Sequence, residues 1–181
     1  GKVLIMLGIR LFGMTPFGWR FMGALIGVMM VPAMYLMVKQ LVGRTDLAAI
    51  GAFLMAADAM HFTQTRIATI DSYGVFFIML MYLAMFRYLK MNFHYQKLWR
   101  TLIPLALSGL FMGLGIASKW IGIYAAVGLA ALLFYALHRR WVEYRALGRQ
   151  AADIAPYADR FGRNLAITLC CCLVFFVAVP L

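Results

Sequence analysis

The amino-acid sequence predicts an all-α protein, a bundle of membrane-spanning helices, and two observations support this fold class. Hydrophobic residues make up 65% of the 181 residues, against roughly 45–50% in a soluble domain. A chain of this size cannot hide that much apolar side chain in one soluble core. The apolar residues also gather in stretches close to the roughly 20 residues that a helix needs to cross a bilayer. We therefore expect a multi-pass protein of the cell membrane.

The first segment, residues 1–17, predicts a short amphipathic helix at the membrane interface, followed by a turn. Leu4, Leu7 and Leu11 recur on one helical face, and the segment is too short and too interrupted to span the bilayer. The sequence Thr-Pro-Phe-Gly that follows is typical of a turn. The chain begins without Met and ends in apolar sequence, so we expect an internal piece of a larger protein and a bundle that is only partial.

Residues 18–181 predict a transmembrane region of about six membrane helices. We expect these helices at residues 19–42, 47–62, 67–88, 102–117, 120–137 and 164–181. The apolar run from 101 to 137 would be about 55 Å long as one helix, nearly twice the hydrocarbon core. Ser118, Lys119 and Trp120 interrupt this run, which predicts two short helices joined at Lys119.

The distribution of positive charge predicts the orientation of these helices. If they alternate, the loops after the first, third and fifth helices, with their flanks, hold most of the 17 lysines and arginines: Lys39, Arg44, Arg87, Lys90, Lys97, Arg100, Arg139, Arg140, Arg145, Arg149, Arg160 and Arg163. Cations concentrate in cytoplasmic loops, so Arg66, Asp71 and Lys119 are expected together near the opposite, extracytoplasmic face. The same rule accounts for the net charge of +11 without nucleic acid, which we do not expect as a partner.

A cluster of ionisable residues within apolar sequence provides the candidate functional site. The densest polar stretch carries Asp58, His61, Gln64, Arg66 and Asp71. Charges within membrane segments are costly and by default mark a substrate, ion or proton site. Arg66 offers a planar fork that fits phosphate, and Lys119 adds a compact charge from a second segment. This combination predicts a site for a lipid phosphate or diphosphate head group.

Plainer interpretations of the same residues stay open. Arg66 and Asp71 could pair only to satisfy each other's charge, and Lys119 could simply extend its ammonium to the interface. His61 is expected to form a hydrogen bond between helices rather than bind a metal, because no second His or Cys lies at ligand spacing. Asp58 fits either a supporting role at the site or a polar group at a helix end.

Three motifs, taken together and in order, resemble the protein O-mannosyltransferases (glycosyltransferase family 39). They are Gly1-Lys2-x-Leu4-Ile5-x-Leu7-Gly8 followed by Phe17-Gly18-Trp19-Arg20, then Asp58-x-x-His61-Phe62-x-Gln64-x-Arg66-Ile67-Ala68-x-x-Asp71, and finally Ser118-Lys119-Trp120-x-Gly122. The resemblance covers nearly the whole chain and looks closest to the bacterial members. It implies part of a C-type glycosyltransferase fold.

The resemblance also implies a reaction. Such enzymes transfer mannose from a polyprenyl-phosphate donor to Ser or Thr hydroxyls of secreted proteins or peptides, outside the cytoplasm and with inversion. Arg66 and Lys119 would hold the donor phosphate, and Asp71 would orient Arg66 or shape the sugar pocket. The remaining donor-site residues implied are Asp58, His61, Gln64 and Trp120. The reaction would use a lipid-linked donor with no metal or cofactor, and its base would lie before Gly1, so this chain alone is expected to be inactive.

Two other functions stay open at this point. A related polyprenyl-phosphate-sugar transferase would share the two cations but act on a lipid or glycan acceptor. A membrane transporter could use an Arg66–Asp71 pair as a gate, although transporters tend to show internal repeats with helices broken near the midplane. We find no convincing repeat between residues 1–90 and 91–181, which favours the mannosyltransferase.

Overall fold

The computed structural model of the chain describes residues 1–91, 97–147 and 155–178, and this part is helical throughout apart from short connections. The first four helices are α1 (Lys2–Phe12), α2 (Pro16–Val42), α3 (Thr45–Ala57) and α4 (Ala59–Arg66). The next four are α5 (Asp71–Leu89), α6 (Leu98–Ser118), α7 (Ile121–Leu147) and α8 (Ala155–Leu173), which continues into a π-helical turn at Val174–Ala178. The all-α prediction is confirmed.

Within the described residues, five stretches of helix are long and apolar enough to cross a membrane. They are Pro16–Val42, Asp71–Leu89, Leu98–Ser118, Ile121–Ala146 and Arg160–Ala178. The chain therefore has the architecture of a multi-pass membrane protein. Helix α3 is also apolar, but its 13 residues fall short of the roughly 20 that a single spanning helix needs.

Helices α3 and α4 replace the single helix predicted at residues 47–62. The chain leaves α3 at Asp58, whose backbone is extended (φ −71°, ψ 113°). The Asp58 carboxylate then accepts hydrogen bonds from the backbone N–H groups of Met60 (3.0 Å) and His61 (3.3 Å). Aspartate competes for backbone donors in this way and favours helix starts over helix interiors, which explains the break.

The broken pair α3–α4 runs back along α2 as an antiparallel partner. Gly51 of α3 lies against Val38, and Thr65 of α4 lies against Gly27, so the pair covers the same depth of the bundle as this part of α2. Two short helices thus take the place of one spanning helix.

Helices α6 and α7 separate at Lys119 and Trp120 as predicted, but both are longer than predicted. The predicted polar loop from 138 to 163 is helical at both ends, since α7 continues to residue 147 and α8 begins at 155. An ion pair from Arg139 to Glu143, one helical turn apart at 2.9 Å, favours this extension. Arg149, loop residues 92–96 and the predicted helix residues 179–181 lie outside the described residues.

The core of the bundle lies between α5 and α6. Tyr88, Met85 and Leu105 are fully buried there, and α7 and the π-helical turn pack against them. A second apolar cluster joins α2 to the first half of α5 through Ile26 and Tyr73. Large apolar side chains remain on the outer surface, as expected for a protein whose surroundings are lipid.

Helix α1 packs on the start of α2. Gly8 is buried against Gly18, while Leu7 and Leu11 of the predicted apolar face stay exposed. Gly8 and Gly18 allow the backbones of α1 and α2 to approach closely. The exposed leucines are left to contact lipid.

The helix ends gather on two faces of the bundle. On one, which we call the site face, α4 ends at Arg66, α5 begins at Asp71, and Lys119 separates α6 from α7. At the opposite face, Arg140 of α7 donates a hydrogen bond to the carbonyl oxygen of Tyr88 at the end of α5 (3.3 Å). The alternating arrangement of helices thus brings the three predicted ionisable residues to the same face.

Candidate functional site

Lys119 and Asp71 form an ion pair on the site face. Asp71 is the first residue of α5, and Lys119 lies in the connection between α6 and α7. The side chains of Lys119 and Asp71 are 42% and 51% exposed, so the pair is open to an incoming ligand. A lysine ammonium has three donors, which leaves two of them for a second anion.

Arg66 and Asp71, whose pairing was one of the open interpretations, are not paired in the structure, because Asp71 instead contacts Lys119. Arg66 places its guanidinium 4.8 Å from the centre of the Phe62 ring, a cation–π contact one turn back along α4. The backbone explains the separation of the two charges. Ile67 ends α4 in an extended conformation (φ −83°, ψ 136°), which carries the following residues away from the helix and toward the α6–α7 junction.

Gln64 supports the turn between α4 and α5 through its backbone. Its carbonyl oxygen accepts hydrogen bonds from the hydroxyl groups of Thr69 (3.4 Å) and Ser72 (3.3 Å). These bonds tie the end of α4 to the start of α5 and hold Arg66 and Asp71 on the same face. The Gln64 side chain itself is exposed.

His61 joins α4 to α2. Its Nε2 atom lies 3.2 Å from the carbonyl oxygen of Gly27, and since a carbonyl can only accept, Nε2 carries the proton. This is the interhelical hydrogen bond that the sequence predicted for His61. Within residues 1–91, 97–147 and 155–178, no group of three or more His, Cys, Asp or Glu side chains could hold a metal.

Two glycines of α2, which the sequence analysis did not single out, form the seat of α4. A Cβ atom on Gly27 would lie 2.6 Å from the Cβ of Thr65, and one on Gly23 would lie 2.7 Å from the Thr65 carbonyl oxygen. Neither position has room for a side chain. The signal was present in the sequence, because Gly23 and Gly27 have the small-xxx-small spacing that lets membrane helices approach closely.

A tight turn fixes the position of Lys119. Its N–H donates to the carbonyl oxygen of Gly115 (2.9 Å), and its own carbonyl accepts from Gly122 N–H (3.1 Å). A Cβ on Gly122 would lie 2.8 Å from the backbone nitrogen of Ile116. The Lys-Trp-x-Gly spacing is thereby explained, since only glycine fits where α7 turns back so closely onto α6.

Trp120 and Asp58 do not join the other candidate residues. The Trp120 residue is 79% exposed. Asp58 lies at the far end of α4, about 12 Å from Arg66 along the helix, where it caps the helix start. Of the two interpretations that stayed open for Asp58, the structure supports the polar group at a helix end.

An apolar groove runs beside Arg66, and we call it the α2–α4 groove. Its deeper part has a volume of about 560 Å³ and extends along α2 past Val28 to Pro32. Its outer part has a volume of about 350 Å³ and contains Arg20. Both parts are lined by Ala24 and Arg66, so they adjoin at these two residues.

Arg20 was not among the candidate residues predicted from the sequence, yet it lines the same groove as Arg66. The sequence could have indicated Arg20 as a site residue, because it lies at the site-face end of α2, on the side of the protein that has few cations. Every carboxylate whose side chain is described already has a partner: Asp46 has Arg44, Asp71 has Lys119, Glu143 has Arg139, and Asp58 caps α4. In this part of the chain, Arg20 and Arg66 are therefore cations without a carboxylate partner.

Known proteins with similar sequences agree on one family. Residues 7–181 match the family described as dolichyl-phosphate-mannose-protein mannosyltransferase. The chain is 30% identical to the polyprenol-phosphate-mannose–protein mannosyltransferase of Mycobacterium tuberculosis, over 90% of this chain and 35% of that protein. It is 29% identical to the Corynebacterium glutamicum protein of the same name, over 86% of this chain and 34% of that protein.

A more distant relative is the dolichyl-phosphate-mannose–protein mannosyltransferase 4 of Saccharomyces cerevisiae, 29% identical over 64% of this chain and 15% of that protein. No solved structure matches the chain. The chain spans about a third of the length of the bacterial relatives, 35% for the M. tuberculosis protein. The family match covers nearly all of the sequence and includes Arg66, Asp71 and Lys119, and on this basis the chain belongs to the dolichyl-phosphate-mannose-protein mannosyltransferase family.

Proposed function

We propose that the full-length protein transfers mannose from a polyprenyl-phosphate-mannose donor to Ser or Thr hydroxyls of proteins. The observation that carries this proposal is the placement of Arg66 and the Asp71–Lys119 pair on one face of a chain of this family. The names of its relatives indicate a lipid-linked mannose donor and a protein acceptor. The resemblance in the motifs indicates that Ser or Thr hydroxyl groups accept the mannose.

The charge that develops in the reaction explains why two cations would be needed. The bond between the anomeric carbon and a phosphate oxygen breaks, and the acceptor oxygen bonds to the opposite side of that carbon. The acceptor proton passes to a base, and the departing phosphate gains one negative charge. Preorganised cations are most effective where such charge develops. Arg66 can bind two phosphate oxygens at once, and Lys119 retains two free donors beside its bond to Asp71.

Asp71 acts in this proposal as a positioning residue for Lys119 rather than for Arg66. A lysine side chain has a flexible four-carbon stem and loses much conformational entropy when it is fixed in one position. The ion pair with Asp71 fixes the ammonium before the donor arrives. The remaining candidates support the site indirectly. His61 bonds α4 to α2, the Gln64 carbonyl stabilises the turn between α4 and α5, and Asp58 caps the start of α4.

The charge asymmetry supports an extracytoplasmic location of the site face in the cell membrane. The nitrogen of Gly1 lies 3.2 Å from the hydroxyl oxygen of Ser118, the residue before Lys119. A segment preceding Gly1 would therefore enter beside the proposed phosphate site, and we propose that the base comes from such a segment. The lipid-linked donor is the proposed sugar source, without a further cofactor.

The test uses the full-length protein in membrane nanodiscs with radiolabelled polyprenyl-phosphate-mannose and a Ser/Thr-rich peptide. Arg66→Gln and Lys119→Gln are compared with wild type and with Arg10→Gln, a change at an exposed cation of α1 outside the site. Peptide labelling by wild type and Arg10→Gln, with a large loss in the two site variants, supports the proposal. Labelling of lipid or glycan but not peptide moves the acceptor to that class. A folded wild type that consumes no donor overturns the proposal.

A further inference from the structure

We propose that a groove between α5 and α6, on the face opposite the site face, binds an anionic phospholipid. The groove has a volume of about 460 Å³, and its described lining is Arg87, Met91, Arg100, Ile103, Pro104 and Leu107. We call it the α5–α6 groove. The charge asymmetry predicts that this face lies in the cytoplasm, so the lipid would come from the cytoplasmic leaflet. The inference goes beyond the proposed function and does not depend on it.

One stripe of α6 has the pattern that an amphiphilic ligand requires. Arg100, Ile103, Pro104 and Leu107 occupy positions i, i+3, i+4 and i+7 of the helix, which lie on one helical face. From Arg100 to Leu107 the helix advances about 10 Å at 1.5 Å per residue, within the roughly 15 Å of half a hydrocarbon core. Ile103 and Leu107 are 50% and 42% exposed. The stripe therefore offers a cation at one end and hydrocarbon contacts below it.

Residues beside the groove place its cationic end at the level of the lipid head groups. Trp99 precedes Arg100 and is 75% exposed, and exposed Trp is enriched at the membrane–water interface. Lys90 follows α5 and Lys97 precedes α6, which concentrates positive charge at the same level. The cytoplasmic surface of a membrane is negative because of its anionic lipids, and basic pockets between membrane helices on that side bind their head groups.

The two arginines of the groove lack a compensating charge. Neither Arg87 nor Arg100 has a carboxylate partner in the described part of the chain. The sequence from residue 72 to residue 142 contains no Asp or Glu, so α5 and α6 supply no carboxylate at this face. Two guanidinium groups that line one groove repel unless an anion lies between them. Each has a fork of N–H donors that matches phosphate oxygens, so the groove favours a phosphate group.

The other end of the same two helices shows what such an anion would contribute. At the site face, Asp71 at the start of α5 pairs with Lys119, the residue after α6. A lipid phosphate would take the corresponding place between Arg87 and Arg100, with an acyl chain along the apolar stripe. A zwitterionic lipid carries its own cation beside the phosphate, and a soluble phosphate cannot use the apolar contacts. The combination therefore favours an anionic lipid over both.

The first experiment measures lipid binding by the full-length protein in phosphatidylcholine nanodiscs. Phosphatidylglycerol with a diazirine in its acyl chain is added at increasing mole fraction and photolysed, and labelling of residues 100–107 should saturate. Arg87→Gln and Arg100→Gln should each raise the half-saturating mole fraction about fivefold, the loss expected for one arginine near an anionic membrane surface. Lys39→Gln removes an exposed cation at the same face that is not among the described lining residues, and it should label like wild type.

Two further arms of this experiment identify the occupant. A phosphatidylcholine probe with the same diazirine that labels these residues equally shows ordinary contact with surrounding lipid and overturns the inference. Loss of labelling on addition of inorganic phosphate assigns the groove to a soluble anion and also overturns it. Absence of labelling by either probe shows that another part of the full-length protein covers the groove, which again overturns the inference.

The second experiment measures stability without a lipid probe. Replacing part of the phosphatidylcholine by phosphatidylglycerol should raise the melting temperature of the wild type and of Lys39→Gln, because a ligand of the folded state stabilises it. The double variant Arg87→Gln/Arg100→Gln should melt at the same temperature in both lipids. An equal gain in the double variant overturns the inference. Mannose transfer is measured separately, and a protein that binds this lipid but transfers no mannose keeps the lipid site while overturning the proposed function.

Discussion

Lys119 and Asp71 are ion-paired although 48 positions separate them in the sequence. The pair joins the first residue of α5 to the junction of α6 and α7, so it links three helices at the site face. It also leaves Arg66 without a carboxylate partner in the described part of the chain. The proposed phosphate site thus has one neutralised cation, Lys119, and uncompensated ones beside it.

Removal of the Asp71 carboxylate should affect catalysis much more than stability. Asp71→Ala frees the Lys119 ammonium and is expected to lower kcat/KM by about a hundredfold, similar to the loss of one preorganised electrostatic contact. The pair is half exposed, so unfolding should change by no more than about 1 kcal/mol. Kinetics and thermal unfolding of the full-length protein measure both. Asp46→Ala breaks the exposed Arg44–Asp46 pair and should leave kcat/KM unchanged; equal losses in the two variants would contradict the positioning role.

Gly27→Ala should destabilise the protein, whereas Gly74→Ala should not. The new Cβ at Gly27 would lie 2.6 Å from the Cβ of Thr65, but at Gly74 its nearest neighbour would be the Lys119 Cβ at 3.6 Å, an ordinary contact. Overpacking typically costs about 1–3 kcal/mol, while alanine in a helix is favoured over glycine by about 0.5–1 kcal/mol. Thermal unfolding in nanodiscs ranks the two variants. A similar melting temperature for both would show that α4 is not seated on Gly27.

Asp58 can be tested as a helix cap by comparing two substitutions. Asparagine caps as well as aspartate does, whereas alanine costs about 1 kcal/mol at this position. Asp58→Asn should therefore keep both stability and mannose transfer, and Asp58→Ala should lower the melting temperature. The two bonds to Met60 and His61 N–H are the contacts at stake. Loss of transfer in a stable Asp58→Asn protein would instead assign the carboxylate to the substrate.

Arg140 is expected to require the arginine fork rather than a positive charge alone. It is buried, donates to the carbonyl oxygens of Tyr88 (3.3 Å) and Met91 (3.1 Å), and lies 4.1 Å from the centre of the Tyr88 ring. Lysine cannot reproduce these bonds together with the stacking, so Arg140→Lys should lower the melting temperature by several degrees. The exposed neighbour provides the control, Arg139→Lys, which should melt like wild type. Equal melting of both variants would show that the buried network is not needed.

The fold class and the α6–α7 break were predictable because both follow from local composition. An apolar run that is too long for one membrane span and is interrupted by Lys119 can adopt few structures other than two helices. The break at Asp58 was harder to predict, since an aspartate in apolar sequence can continue a helix or cap the next one, and the packing of α4 on α2 decides between them. The partner of Asp71 could not be read from sequence at all. Nearness along the chain favoured Arg66, but the extended Ile67 directs the carboxylate to a residue from another helix pair.

The short length of α4 has a consequence for how this protein can change. An isolated helix of 8 residues is unstable in water, where about 12–15 residues are needed for even marginal helicity. The orientation of Arg66 therefore depends on the fit of α4 against Gly23 and Gly27, two residues that carry no charge. A substitution at this helix contact would therefore shift Arg66 without altering any residue of the proposed phosphate site.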